Sequence, residues 1–195
     1  MIQFLKLLGW LACVVYSTIP GFWFLVHPWA EYWRSRRKSP YGVLLPAWVA
    51  MWIIVALVTV RWRHVALYSS VWLWFPAVGP FGAGFWLYAH SSKNFSARQL
   101  GGVPEVLAGH AEQRLVTTGI RTHVRHPVYL AHLCEMLGWS LGTGLAVCYG
   151  LTAFAVLTGG VMIRMEDREL EARFGEEYQR YRARVPAVVP TLWKG

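Results

Sequence analysis

The sequence predicts an all-α integral membrane protein of about five transmembrane helices, followed by a cytosolic C-terminal amphipathic helix. Three observations predict it. The 195 residues are 55% hydrophobic and only 15% charged, with 12 Trp, which is too apolar for a water-soluble domain of this size. Five apolar stretches, residues 4–26, 43–60, 65–89, 129–144 and 145–163, approach or reach the roughly 20 residues that a helix needs to cross hydrocarbon. Sixteen of the 19 Lys and Arg fall in residues 31–40, 91–127 and 164–195, which are alternate connections between those stretches.

In the first stretch, Lys6 ahead of an apolar run would also suit a secretory signal. Pro20-Gly21-Phe22-Trp23 continues the run and no small-x-small cleavage site follows, so a retained helix is expected. The second is bounded by Tyr41-Gly42 and Arg61-Trp62-Arg63, aromatic and charged residues suited to the headgroup level. The third carries Gly79, Gly82 and Gly84, read as helix-packing positions. The last two are short enough to form one tight hairpin. The basic split then predicts an outside N-terminus and a cytosolic C-terminus.

The net charge of +9 follows topology rather than one helix face, which favours anionic lipid headgroups over nucleic acid as its partner. Cys13, Cys134 and Cys148 all lie in apolar spans without a C-x-x-C pair and are read as reduced packing residues. No repeat or linker divides the chain. It is read as one membrane domain, 1–195, with three helices in 1–90 and the polar chemistry in 91–195.

That polar chemistry begins with Arg125-His126-Pro127. Pro127 suits the first turn of the fourth helix, where no backbone donor is lost, so Arg125 and His126 stand at its positive end. Two readings follow: a binding site for a carboxylate or phosphate, or interfacial anchors touching headgroups. Farther along, His132 and Glu135 share a helix face with Tyr129. An acid inside a span is costly unless paired or facing a polar cavity, so Glu135 is either a site residue or a partner of His132 or a tail Arg. A zinc site from His123, His126 and His132 is disfavoured, because Pro127 interrupts the helical spacing that a paired-His motif needs.

In the tail, Leu170, Phe174, Tyr178, Tyr181 and Val185 recur at helical spacing with charges between them, and Gly175 marks a break. Arg164, Glu166 and Asp167 lie where the fifth helix leaves the membrane, within reach of whatever Arg125 and His126 bind.

Four pieces in register carry a resemblance: Leu-Val-Thr-Thr-Gly at 115–119, Arg-His-Pro-x-Tyr at 125–129, Glu-Asp-x-x-Leu-x-x-x-Phe-Gly at 166–175, and Glu-Glu-Tyr-x-x-Tyr-x-x-x-Val-Pro at 176–186. Together with Asn94-Phe95-Ser96 they resemble the isoprenylcysteine carboxyl methyltransferase family over residues 94–190, the short chain being similar to its prokaryotic members. The resemblance implies S-adenosyl-L-methionine as cofactor, entering from the cytosol in a bacterial inner membrane, and a lipophilic or prenylated acceptor arriving from the bilayer. It implies that Leu115, Val116, His126, Pro127, Tyr129 and Glu166 surround the cofactor, and that Arg164 and Glu166 are catalytic, Arg164 holding the acceptor carboxylate. The chain departs from the family pattern at the acidic pair, Glu166-Asp167 in place of two Glu, and at Gln113 and Arg121.

The acceptor stays open at this level. A lipid-borne carboxylate is the first reading. Beside it stand a phospholipid amine, a sterol-like enone reduced with NADPH, and an interaction protein without chemistry.

Overall fold

The computed structural model describes residues 1–36, 39–92, 106 and 114–189. All the regular elements among these are helical. Helix α1, Ile2–Val26, runs through a 3₁₀ turn, His27–Trp29, into the short α2, Ala30–Ser35. Helix α3 is Tyr41–Thr59 and α4 is Trp74–Ser92. A tight hairpin joins α5, Pro127–Thr143, to the long α6, Ala146–Phe174, and α7 is Glu176–Arg184.

Among the described residues, three helical segments are long and apolar enough to cross a membrane: α1 with α2 (Ile2–Ser35), α3 with its following turn (Tyr41–Trp62), and α6. In α3, Val43, Val49, Ile53, Ile54, Leu57 and Val58 face outward. Such a continuous apolar surface is costly in water and suited to lipid. Helices α4 and α5 fall short of the same standard. They have 19 and 17 residues, and polar His90, Ser91, His132 and Glu135 dilute their apolarity.

The predicted third span is corrected at its start. Residues 65–73 are not α-helical, and the helix begins at Trp74. The backbone N–H of Leu67 donates to the Gly144 carbonyl at 2.8 Å, and that of Ala146 to the Val65 carbonyl at 3.0 Å, so a tertiary partner takes the hydrogen bonds that helix would have used. Gly144, at φ +67°, makes the α5–α6 turn that offers this edge.

Helix α4 packs most extensively on α5. A Cβ at Gly138 would lie 3.0 Å from the Phe81 ring, so the close approach depends on that glycine. Of the glycines assigned to packing, only Gly84 meets a neighbour, whereas Gly79 and Gly82 face open space. The main core cluster joins Trp10, Cys13 and Val14 of α1 to Met136 of α5 and Cys148 and Leu151 of α6.

The predicted amphipathic tail is divided between two helices. Gly175, at φ +55°, ends α6 and starts α7 in another direction. Tyr178, Tyr181 and Val185 are buried together, with Leu115, Leu170 and Phe174 packed against them. This cluster folds the tail back onto the start of α5.

Candidate functional site

Four chain segments converge at the end of the bundle opposite the 65–67 edge: the exit of α1, the entry of α5, the middle of α6, and α7 with the residues after it. The backbone aligns the entry of α5 with the segment after α7. The N–H groups of Arg125 and His126 donate to the carbonyls of Pro186 and Ala187, both at 2.9 Å. The Val-Pro pair at 185–186 is thus a docking edge. Pro127 is buried at the first position of α5, as expected from its missing donor.

The side chains then meet the acids of α6. Arg125 Nη2 lies 2.8 Å from Asp167 Oδ2, and Arg125 Nη1 donates to the Val185 carbonyl at 2.6 Å. The Tyr178 hydroxyl donates to Asp167 Oδ1. Burial and this carboxylate both push the Tyr178 phenol up from its ordinary value. His126 Nδ1 is 3.2 Å from Glu166 Oε2, and its Nε2 is 3.6 Å from Asp167 Oδ1 without a hydrogen bond. Burial alone would lower the His126 imidazole. The carboxylates of Glu166 and Asp167 outweigh it and lift His126 to about 9, so the ring is cationic near neutrality.

The predicted anion site at the α5 entry is therefore matched first by the chain's own acids. Arg125 is committed to Asp167, in a buried pair supported by further hydrogen bonds, although Arg125 Nε has no partner among the described residues. His126 keeps a buried nitrogen for another partner. Glu166 keeps 27% of its side chain accessible, which leaves one face for a ligand.

The other expected site residues are distributed around this pair. Leu115 packs on the Tyr178–Tyr181 cluster, and Val116 beside it is half-buried. Tyr129 is buried against Met162 and Ile163, and its hydroxyl donates to the Ala155 carbonyl, so it seats α5 on α6. Arg164 is exposed and makes no hydrogen bond or ion pair among the described residues; it does not join His126 and Glu166. Asn94-Phe95-Ser96 and Gln113 lie outside the described residues.

His132 stands between Tyr16 and Tyr88, at ring-centroid distances of 5.2 and 5.5 Å. Glu135 is buried against Gly84 with Oε1 lacking a hydrogen-bond partner, rather than paired with His132 or the tail. Among the described residues no group of three or more His, Cys, Asp or Glu is arranged to hold a metal ion.

Sequence reasoning missed His27. Its side chain is 4% exposed, stacks on Trp23 at 5.0 Å and 17°, and places Nε2 3.8 Å from Glu166 Oε2. A histidine four residues after a Trp, at the end of a long apolar run and before Pro28, was the available signal.

No family model matches the chain, and no solved structure matches it. Over 87 residues it is 37% identical to the cobalt-zinc-cadmium resistance protein CzcN of Cupriavidus metallidurans, covering 44% of this chain and 40% of that one. Over 70 residues it is 37% identical to methanethiol S-methyltransferase 2 of Bradyrhizobium diazoefficiens, covering 36% and 26%. The match thus spans less than half the length of either relative. Over 59 residues it is 34% identical to an uncharacterized protein of Haemophilus influenzae, covering 30% of this chain and 94% of that protein, so the chain belongs to one family with it.

Proposed function

We propose that this protein transfers a methyl group from S-adenosyl-L-methionine to the carboxylate of a lipophilic, isoprenylcysteine-like acceptor reaching the site from the bilayer. The observation that carries the reading is the 3.2 Å approach of His126 to Glu166, which joins two motifs of the methyltransferase resemblance across α5 and α6. The partial similarity to methanethiol S-methyltransferase 2 supports the reaction class. In this reading α4 and α5 also cross, for five spans in a bacterial inner membrane, with the site on the cytosolic side.

The residues present fit such a cofactor. The buried His126 Nε2 has no hydrogen-bond partner, and Glu166 has an accessible face. Leu115, Val116, His126, Pro127, Tyr129 and Glu166 would hold it: the imidazole of His126 and the Glu166 carboxylate beside its polar groups, and the apolar residues along its length. When bound, it supplies a methyl carbon activated by the adjoining positive sulfur, which a carboxylate oxygen takes as the C–S bond breaks, with no proton to remove. The protein's part is to orient the acceptor and exclude water. Arg164 is the acceptor contact that the family resemblance implies.

The test is to incubate the purified protein in lipid nanodiscs with methyl-labelled S-adenosylmethionine and S-farnesylcysteine. A base-labile labelled ester supports the reading. Label on sulfur when a small thiol is offered, with no ester formed from the carboxylate, replaces the acceptor by a thiol.

A further inference from the structure

A cleft of about 460 Å³ lies between the His27–Ser35 corner and successive turns of α6 from Met165 to Arg173. Its wall carries His27, Glu31, Arg34, Arg168, Glu169 and Arg173. These charges are not all spoken for. Glu169 Oε1 meets Arg34 Nη1 at 3.5 Å and Arg173 Nη1 at 3.6 Å, which sets one acid between two guanidinium groups. Glu31 and Arg168 make no hydrogen bond or ion pair among the described residues. The cleft therefore offers a ligand one carboxylate and one guanidinium.

Two buried groups line the same cleft. Both ring nitrogens of His27 are buried without a hydrogen-bond partner, and so is Glu169 Oε2. Buried polar atoms are rarely left so, because each costs the desolvation of an unmade hydrogen bond. His27 also reaches Glu166, which places the cleft directly beside the His126–Glu166 pair. A volume of this size is that of a small-molecule site.

We propose that this cleft binds a zwitterionic α-amino-acid group, its carboxylate on Arg168 and His27 and its ammonium on Glu31 and Glu169. A bare carboxylate would leave Glu31 and the buried Glu169 Oε2 unmatched, and a bare amine would leave Arg168 and the His27 ring nitrogens unmatched. A carboxylate with an ammonium one carbon away satisfies both signs within one small volume. The methyl-transfer reading names two sources of that chemistry: the methionyl end of the cofactor, and a prenylcysteine acceptor with a free amine. The binding itself does not depend on that reading.

The experiment is calorimetric titration of the full chain in nanodiscs, with Glu31→Gln and Arg168→Gln beside the wild type. The probes are S-adenosylhomocysteine against 5′-methylthioadenosine, and S-farnesylcysteine against its N-acetyl derivative. If the group is the cofactor's, both variants weaken S-adenosylhomocysteine by about tenfold and leave methylthioadenosine unchanged, as loss of a charge-assisted contact predicts. If it is the acceptor's, both variants weaken S-farnesylcysteine by about the same factor, and Glu31→Gln leaves the N-acetyl derivative unchanged. Wild type that binds S-farnesylcysteine but not S-adenosylhomocysteine removes the methyl-transfer reading and keeps the subsite. Variants that alter neither zwitterionic probe, or a Glu31→Gln variant that alters each probe and its partner equally, overturn the proposal, as does wild type that binds neither zwitterion.

Discussion

His126 at the entry of α5 and Glu166 in the middle of α6 stand 3.2 Å apart, held there by the segment after α7, whose Ala187 carbonyl accepts the His126 N–H at 2.9 Å. An imidazole lifted to about 9 is the electrostatic consequence. It has a pH signature. A group whose folded value lies above its ordinary 6.5 contributes stability fully below about 6.5 and loses it as pH rises through about 9. The wild-type melting midpoint in detergent should therefore fall between pH 6.5 and 9.5, and that of His126→Gln should fall less. Equal slopes would show that the ring is not cationic in the folded protein.

The Arg125–Asp167 pair predicts a stability effect instead. Asp167→Ala strands a buried guanidinium and should cost about 3–5 kcal/mol. Arg125→Met with Asp167→Leu should recover most of the loss, since a buried pair exchanged whole is often neutral. Chemical denaturation of Asp167→Ala, of the double variant and of its two component singles, Arg125→Met and Asp167→Leu, reads both values, and an additive double variant would contradict the coupling.

Arg164 and Glu166 should separate by phenotype. Two positions apart on one helix, they point about 200° from each other. Glu166→Gln should weaken S-adenosylhomocysteine, whereas Arg164→Lys should leave that binding intact and lower turnover of a carboxylate acceptor, since lysine loses the planar fork. If Arg164→Lys instead leaves turnover untouched, the acceptor contact lies elsewhere, with Arg168 the guanidinium on the adjoining cleft.

Topology is open to labelling. Sixteen of the 19 basic residues lie in alternate connections, so Trp62→Cys should react with an impermeant thiol reagent from outside and Arg98→Cys only after permeabilisation. The reverse pattern would place the site on the wrong face for a cytosolic cofactor.

The sequence was informative where local chemistry decides the outcome. The long apolar runs became α1, α3 and α6, Pro127 opened α5, and Gly175 broke the tail, because length, a missing donor and a positive φ act within a few residues. It misled where distant partners decide. Residues 65–67 carry an apolar pattern but spend their hydrogen bonds on the α5–α6 turn. Arg125 carries a ligand-binding pattern but is taken by Asp167, and His27 acquires its place only when α1 packs beside α6. Periodicity reports none of these encounters.

The central claim, that His126 and Glu166 form a cofactor site, is tested most directly by calorimetric titration of the wild type with S-adenosylhomocysteine. The account predicts saturable one-site binding, weakened tenfold or more, about 1.4 kcal/mol or above, in both His126→Ala and Glu166→Gln. No binding by the wild type, or wild-type affinity in both folded variants, would contradict it.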